Sequence, residues 1–137
     1  MKLHFAFLAA LMCVVSLIAV PVAAKHGVQA TVHTDIQAST PEGTEINVLW
    51  TLQDERSGRP FSAHGVFIRL VGSAGDFTEA FADYPALPVG TFQATATIPK
   101  GGVATIEIGV AGTMTDRAGN SKRSDWLMEL ANNPINP

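Results

Sequence analysis

From Val28 onward the chain alternates between hydrophobic and polar positions. Val28, Ala30, Val32 and Ile36 fall between Gln29, Thr31, His33, Asp35 and Gln37, the pattern of a strand with one buried face. Pro41-Glu42-Gly43 turns the chain, after which Ile46, Val48, Trp50 and Leu52 face one way and Asn47, Thr51 and Gln53 the other. The polar run Asp54–Pro60, with its Gly and Pro, predicts a loop. Val66–Val71 predicts a third strand, more continuously apolar, and Phe77–Ala82 a shorter fourth after the break at Gly72–Asp76. Two prolines between Tyr84 and Gly90 exclude regular structure there. Phe92, Ala94, Ala96 and Ile98 alternate most clearly, and Pro99-Lys100-Gly101-Gly102 turns the chain back into Ala104, Ile106, Ile108 and Val110. A turn at Asp116–Asn120 precedes a last strand with Trp126, Met128 and Leu130 on one face. Residues 132–137 are expected to fray, as chain ends do.

About seven short strands separated by turns, with no sustained 3.6-residue apolar period, predict an all-β fold. The expected form is an immunoglobulin-like antiparallel β-sandwich, with a small closed barrel as the alternative architecture. Trp50 is expected as core filler against aliphatic neighbours.

The first 24 residues follow another rule. Lys2 is positive, Leu3–Val20 is apolar apart from His4 and Ser16, and Val22-Ala23-Ala24 places small residues before Lys25. That is the tripartite pattern of a secretory signal peptide. The predicted organisation is therefore a signal peptide over 1–24, a β-domain over 25–131 and a flexible tail over 132–137, with an extracytoplasmic location. At about 1.5 Å per residue the apolar stretch reaches roughly 27 Å as a helix, close to the hydrocarbon thickness. Left uncleaved, it would anchor the domain to a membrane. Cys13 follows Met12, too large for a lipoprotein cleavage site, so lipidation is not expected.

Composition then divides along the same line. Of 137 residues 47% are hydrophobic, but 20 of the first 24 are apolar and the remaining 113 hold only 44. Past residue 24 there are eight Lys and Arg against twelve Asp and Glu, a net charge of −4. That balance disfavours a nucleic-acid surface. The single cysteine lies in the leader, so the domain has no disulfide and no thiolate metal site.

Three segments carry a family likeness. Asp54–Pro60, Gly90-Thr91-Phe92-Gln93-Ala94 and Ile98-Pro99-Lys100-Gly101-Gly102 resemble the loop, strand and Gly-Gly turn of the bacterial YtkA-like domain. The Asp116–Asn120 turn resembles the D-x-A-G-N turn of many extracellular Ig-like modules. Both resemblances imply an extracytoplasmic β-sandwich and no reaction.

The chain carries no H-E-x-x-H, G-x-S-x-G, Walker or EF-hand pattern. Ser62 and His64 lack a recognisable third group for nucleophilic catalysis, so no enzyme and no resident cofactor are expected. Metal chemistry has one specific form. Cleavage before Lys25 would set a free amine beside His26, and an amine, an amide nitrogen and an imidazole suit square-planar Cu(II). His33 and Met114 are further candidate ligands, whereas Met128 falls on the apolar face of its strand. For binding, the Ala82–Gly90 connection presents Tyr84, Pro85 and Leu87, a contact surface suited to an envelope protein or a glycan. The expected function is thus an exported, non-catalytic binding or accessory module of the cell envelope. A periplasmic copper-binding protein is the alternative.

Overall fold

The computed structural model describes residues 27–83 and 87–137. Its strands are β1 (Val28–Val32), β2 (Ile36–Gln37), β3 (Glu45–Asp54), β4 (Val66–Val71), β5 (Phe77–Phe81), β6 (Thr91–Thr97), β7 (Thr105–Val110), β8 (Thr113–Thr115), β9 (Ser121–Arg123), β10 (Trp126–Leu130) and β11 (Ile135–Asn136). No helix occurs among the described residues. The chain is all-β, as its alternation requires.

Seven strands join in one sheet of order β5-β4-β7-β10-β1-β3-β6. Every neighbour in it is antiparallel except β1 and β10, which run parallel with Ala30 opposite Leu130. Two antiparallel wings, β1-β3-β6 and β10-β7-β4-β5, therefore meet along that parallel pair. Where the alternation predicts two separate facing sheets, β10 hydrogen-bonds to both β7 and β1 and makes them continuous. Strand twist has a fixed hand and curls large sheets, and here it brings the two edge strands together. The Asp83 amide donates to the Gln93 carbonyl at 2.8 Å, and the Thr78 hydroxyl donates to the Thr97 carbonyl. The sheet is thus a near-barrel with a seam between β5 and β6.

Inward-facing positions fill the interior. Ala30, Val48, Trp50, Leu52, Ile68, Leu70, Ala94 and Ile108 are fully buried, and among the described residues no polar or charged residue is buried with them. Trp50 packs among aliphatic side chains as expected, but it also stacks on Phe92 with ring centroids 6.1 Å apart. Its indole N–H has no acceptor among the described residues. An unmet buried donor costs about 1–3 kcal/mol, comparable to the gain of about 1.5–3 kcal/mol from burying one large apolar side chain.

Three expectations change. The first strand stops at Val32 because the Thr34 hydroxyl, not a backbone carbonyl, accepts the Leu49 amide at 2.9 Å. The chain resumes at Ile36, which is buried and paired in β2. Residues 132–137, expected as a frayed tail, are hydrogen-bonded instead. The Asn132 carboxamide accepts from the Val32 amide at 3.1 Å and donates to its carbonyl at 2.7 Å, mimicking a backbone partner. β11 then pairs with β2, and Ile135 packs against the core. Finally, residues 98–104 do not close a hairpin but cross from β6, at one edge, to β7 in the other wing. Gly102 (φ +81°) permits the crossing: a Cβ there would stand 2.7 Å from the Ala38 carbonyl oxygen.

Candidate binding groove

On the β1-β3-β6 wing, the outward positions are almost uncharged. Thr31, Thr51 and Thr91 lie side by side across the three strands, with Gln29 opposite Gln53 and Asn47 opposite Thr95. These side chains alternate with the buried Ala30, Trp50 and Phe92, so the row of hydroxyl and amide groups faces outward. Just past β1, His33 shares a hydrogen bond of 2.9 Å between its Nε2 and the Thr51 hydroxyl. At this end of the wing His33, Thr51, Gln53 and Thr91 line a groove of about 300 Å³, closed on its far side by Pro60 and Val89. Val89 is 70% exposed, an aliphatic side chain that no core contact explains.

Two connections build the apolar side. In the first, the Asp54 carboxylate folds the 54–60 loop on itself. Its Oδ1 accepts from the Ser57 amide at 2.8 Å, the Ser57 hydroxyl at 2.9 Å and the Arg56 amide at 3.1 Å. The bonds from Ser57 hold the Asp54 carboxyl below its ordinary pKa. The loop returns as the Asp54 amide donates to the Arg59 carbonyl and the Phe61 amide to the Leu52 carbonyl. In the second, the Thr91 amide donates to the Pro88 carbonyl and the Leu52 amide to the Gly90 carbonyl. Gly90 is where they touch. Its φ is +80°, and a Cβ would stand 2.7 Å from the Pro60 Cβ and 3.0 Å from the Leu52 oxygen. Backbone bonds and this contact set the groove's shape.

The outward side of the β10-β7-β4-β5 wing has the opposite character. Arg69 donates to Glu79 and Glu107, both at 2.8 Å, and to Asp125 at 3.1 Å. Arg123 donates to both Glu79 oxygens at 2.9 Å and to Asp125 at 2.6 Å. Phe67 points to this side, outside the core cluster, yet is fully buried. Gly109 leaves room beneath its ring, since a Cβ there would meet Phe67 Cζ at 2.7 Å. Both guanidiniums cover it, with carbons 5.1 and 5.2 Å from the ring centroid. Burial pushes the Glu79 carboxyl up, but bonds from Arg123 and Arg69 outweigh it and hold the pKa below ordinary. The Arg123 bond lowers the Asp125 pKa likewise, against a smaller opposing effect of burial.

The candidate residues distribute unevenly. His33 lines the groove, and Leu87 belongs to the connection bearing Val89. Tyr84, Pro85, Lys25 and His26 lie outside the described residues. Met114 sits on β8, in the β8–β9 hairpin beyond β7. The registers Ala30–Leu130 and Val110–Trp126 put His33 and Met114 at opposite ends of the strands, so the fold does not bring them together. Ser62 and His64 precede β4 in irregular structure. Among the described residues no group of three or more His, Cys, Asp or Glu is arranged to hold a metal ion. Alternation missed the groove's rim because Pro60, Val89 and Gly90 stand in loops. Two sequence signals touch it: the Ala82–Gly90 connection, expected as a contact surface, carries Val89 and Gly90, and two of the family-like segments, Asp54–Pro60 and Gly90–Ala94, meet at Pro60 and Gly90. No family model, curated protein or solved structure matches the chain.

Proposed function

We propose that this chain is an exported, non-catalytic binding or accessory domain of the cell envelope, engaging its ligand through the groove between His33 and Val89. The observation that carries this reading is the groove itself: solvent-facing polar groups beside an exposed aliphatic wall, on backbone already hydrogen-bonded into shape. Such a site is pre-organised for binding. The leader-like residues 1–24 support export. The wings β6-β3-β1 and β10-β7-β4-β5, bridged by the first strand, follow the strand distribution of an Ig-like sandwich, which supports that finer fold. The meeting of two YtkA-like segments at Gly90 gives the resemblance a spatial sense.

The His33–Thr51 contact has the first ingredient of a nucleophile–base pair. A base also needs an orienting partner, and no carboxylate bonds the other ring nitrogen of His33 among the described residues. Binding is therefore the preferred role. The test is retention of material from the solubilised envelope of the source cells on the immobilised protein. Wild type and Lys122→Ala, on the distant β9, should retain the same component, and Val89→Asp should lose it. Equal retention by Val89→Asp would overturn the assignment.

A further inference from the structure

We infer that the groove and the threonine row beside it take a neutral carbohydrate. This rests on the reading of the groove as a binding site and names its ligand class. His33, Thr51, Gln53 and Thr91 supply imidazole, hydroxyl and carboxamide groups, while Pro60 and Val89 supply an apolar wall. None of these is a carboxylate, lysine or arginine. An anionic ligand would find no cation to replace its water, and a cationic one no carboxylate, and desolvating an unpaired charge is costly. A ligand with many hydroxyl groups and an apolar ring face meets both halves of the site. Hydroxyls and carboxamides each donate and accept, which matches sugar hydroxyls, themselves donors and acceptors.

The surroundings favour a chain of sugar units over a single one. Thr31, Thr51 and Thr91 lie opposite one another on three adjacent strands, spaced at about 4.8 Å. The row continues from the groove across the face, and along the strands the pair Leu49–Gln93 and then Asn47–Thr95 follow it. Two exposed carboxylates border this face without lining the groove: Glu45 at the far end of β3, opposite Thr97, and Glu129 on β10, beside Gln29. Arg69, Glu79, Glu107, Arg123 and Asp125 are paired on the other wing. The hydrogen bond shared with Thr51 fixes the His33 ring at the mouth, and Gly90 keeps Val89 beside it.

The experiment is amide chemical-shift mapping of the purified protein with cellohexaose, maltohexaose and chitohexaose, with oligogalacturonate as the anionic control. At least one neutral oligosaccharide should give saturable shifts centred on Thr51, Gln53 and Thr91, and oligogalacturonate none at the same concentration. Gln53→Ala and Thr91→Val, both at the surface, should weaken binding by about tenfold while the remaining spectrum shows the fold intact. Absence of shifts with all three neutral probes, equal binding of oligogalacturonate, or unchanged affinity in both variants would overturn the inference. If the neutral probes fail while Val89-dependent retention of an envelope component persists, the carbohydrate assignment falls and the binding role stands. If both fail, both fall.

Discussion

The outward sides of the two wings differ in where their polar groups find partners. On β10-β7-β4-β5, two arginines and three carboxylates satisfy one another over a buried phenylalanine. On β1-β3-β6, threonine, glutamine and asparagine side chains turn outward with few bonds among themselves. Charges so paired have little left for a ligand, and removing one strands the others in a partly desolvated place. Neutral groups facing water can be exchanged at small cost to the fold and remain available to a partner. The charged side thus reads as architecture, and the neutral side as the surface with unspent bonding capacity. Exposed Phe77 (57%) and Phe81 (49%) fringe the charged side, where Arg69 and Arg123 stack on them.

The sharpest way to break this comparison is Arg69→Ala. It leaves Glu79, Glu107 and Asp125 facing one another and uncovers Phe67, and a loss of about 3 kcal/mol is expected in urea unfolding. A change under about 0.5 kcal/mol, the range of ordinary surface positions, would show that the network is surface decoration. Next in size, Gly90→Ala forces a Cβ against Pro60 at positive φ. It should cost about 2 kcal/mol, measured the same way, and weaken ligand binding by displacing Val89.

The charged wing should also set the acid sensitivity. Glu79 and Asp125 have folded-state pKa values below their ordinary 4.5 and 3.8. Their contribution is complete above those ordinary values and is lost as pH falls through the lower, folded ones. Thermal midpoints should therefore drop as pH falls below about 4.5, and the drop should be shallower in Glu79→Gln than in wild type. A wild-type profile no steeper than the variant's would place the acid-sensitive groups elsewhere. The smallest effect belongs to the neutral wing. Thr95→Val, exposed on β6, should change stability by about 0.5 kcal/mol or less. A larger loss would mean that the threonine row is itself structural.

Much of the scaffold was legible in the sequence. The alternation locates β3, β4, β5, β6, β7 and β10 to within a residue or so of their ends, because a half-buried strand must alternate. The short β8, β9 and β11 were not, since two or three residues are too few to show a period. Their pairing depends on the Asp116 turn, where the carboxylate accepts the Ala118 and Asn120 amides at 2.9 Å, and on the Asn132 clamp. Of the candidate site, only His33 and the 82–90 connection were legible. That they share a groove follows from register, since β1 and β6 both flank β3.

By itself, the sequence determined that residues 27–137 are built of strands and which of them face inward, and it sets an apolar stretch over residues 3–20 ahead of them. Those are local properties, set by periods of two and by composition. Only the tertiary structure decided how the strands join, because β1 meets β10 across about a hundred residues of chain and no local pattern encodes that partner. The same holds for the charged network. Arg69 finds its carboxylates 10, 38 and 56 residues away, so its neutralisation arises only when β4 pairs with β5 and β7 in this register. Folding divides the polar side chains into one side with its charges paired and one side whose neutral groups face solvent.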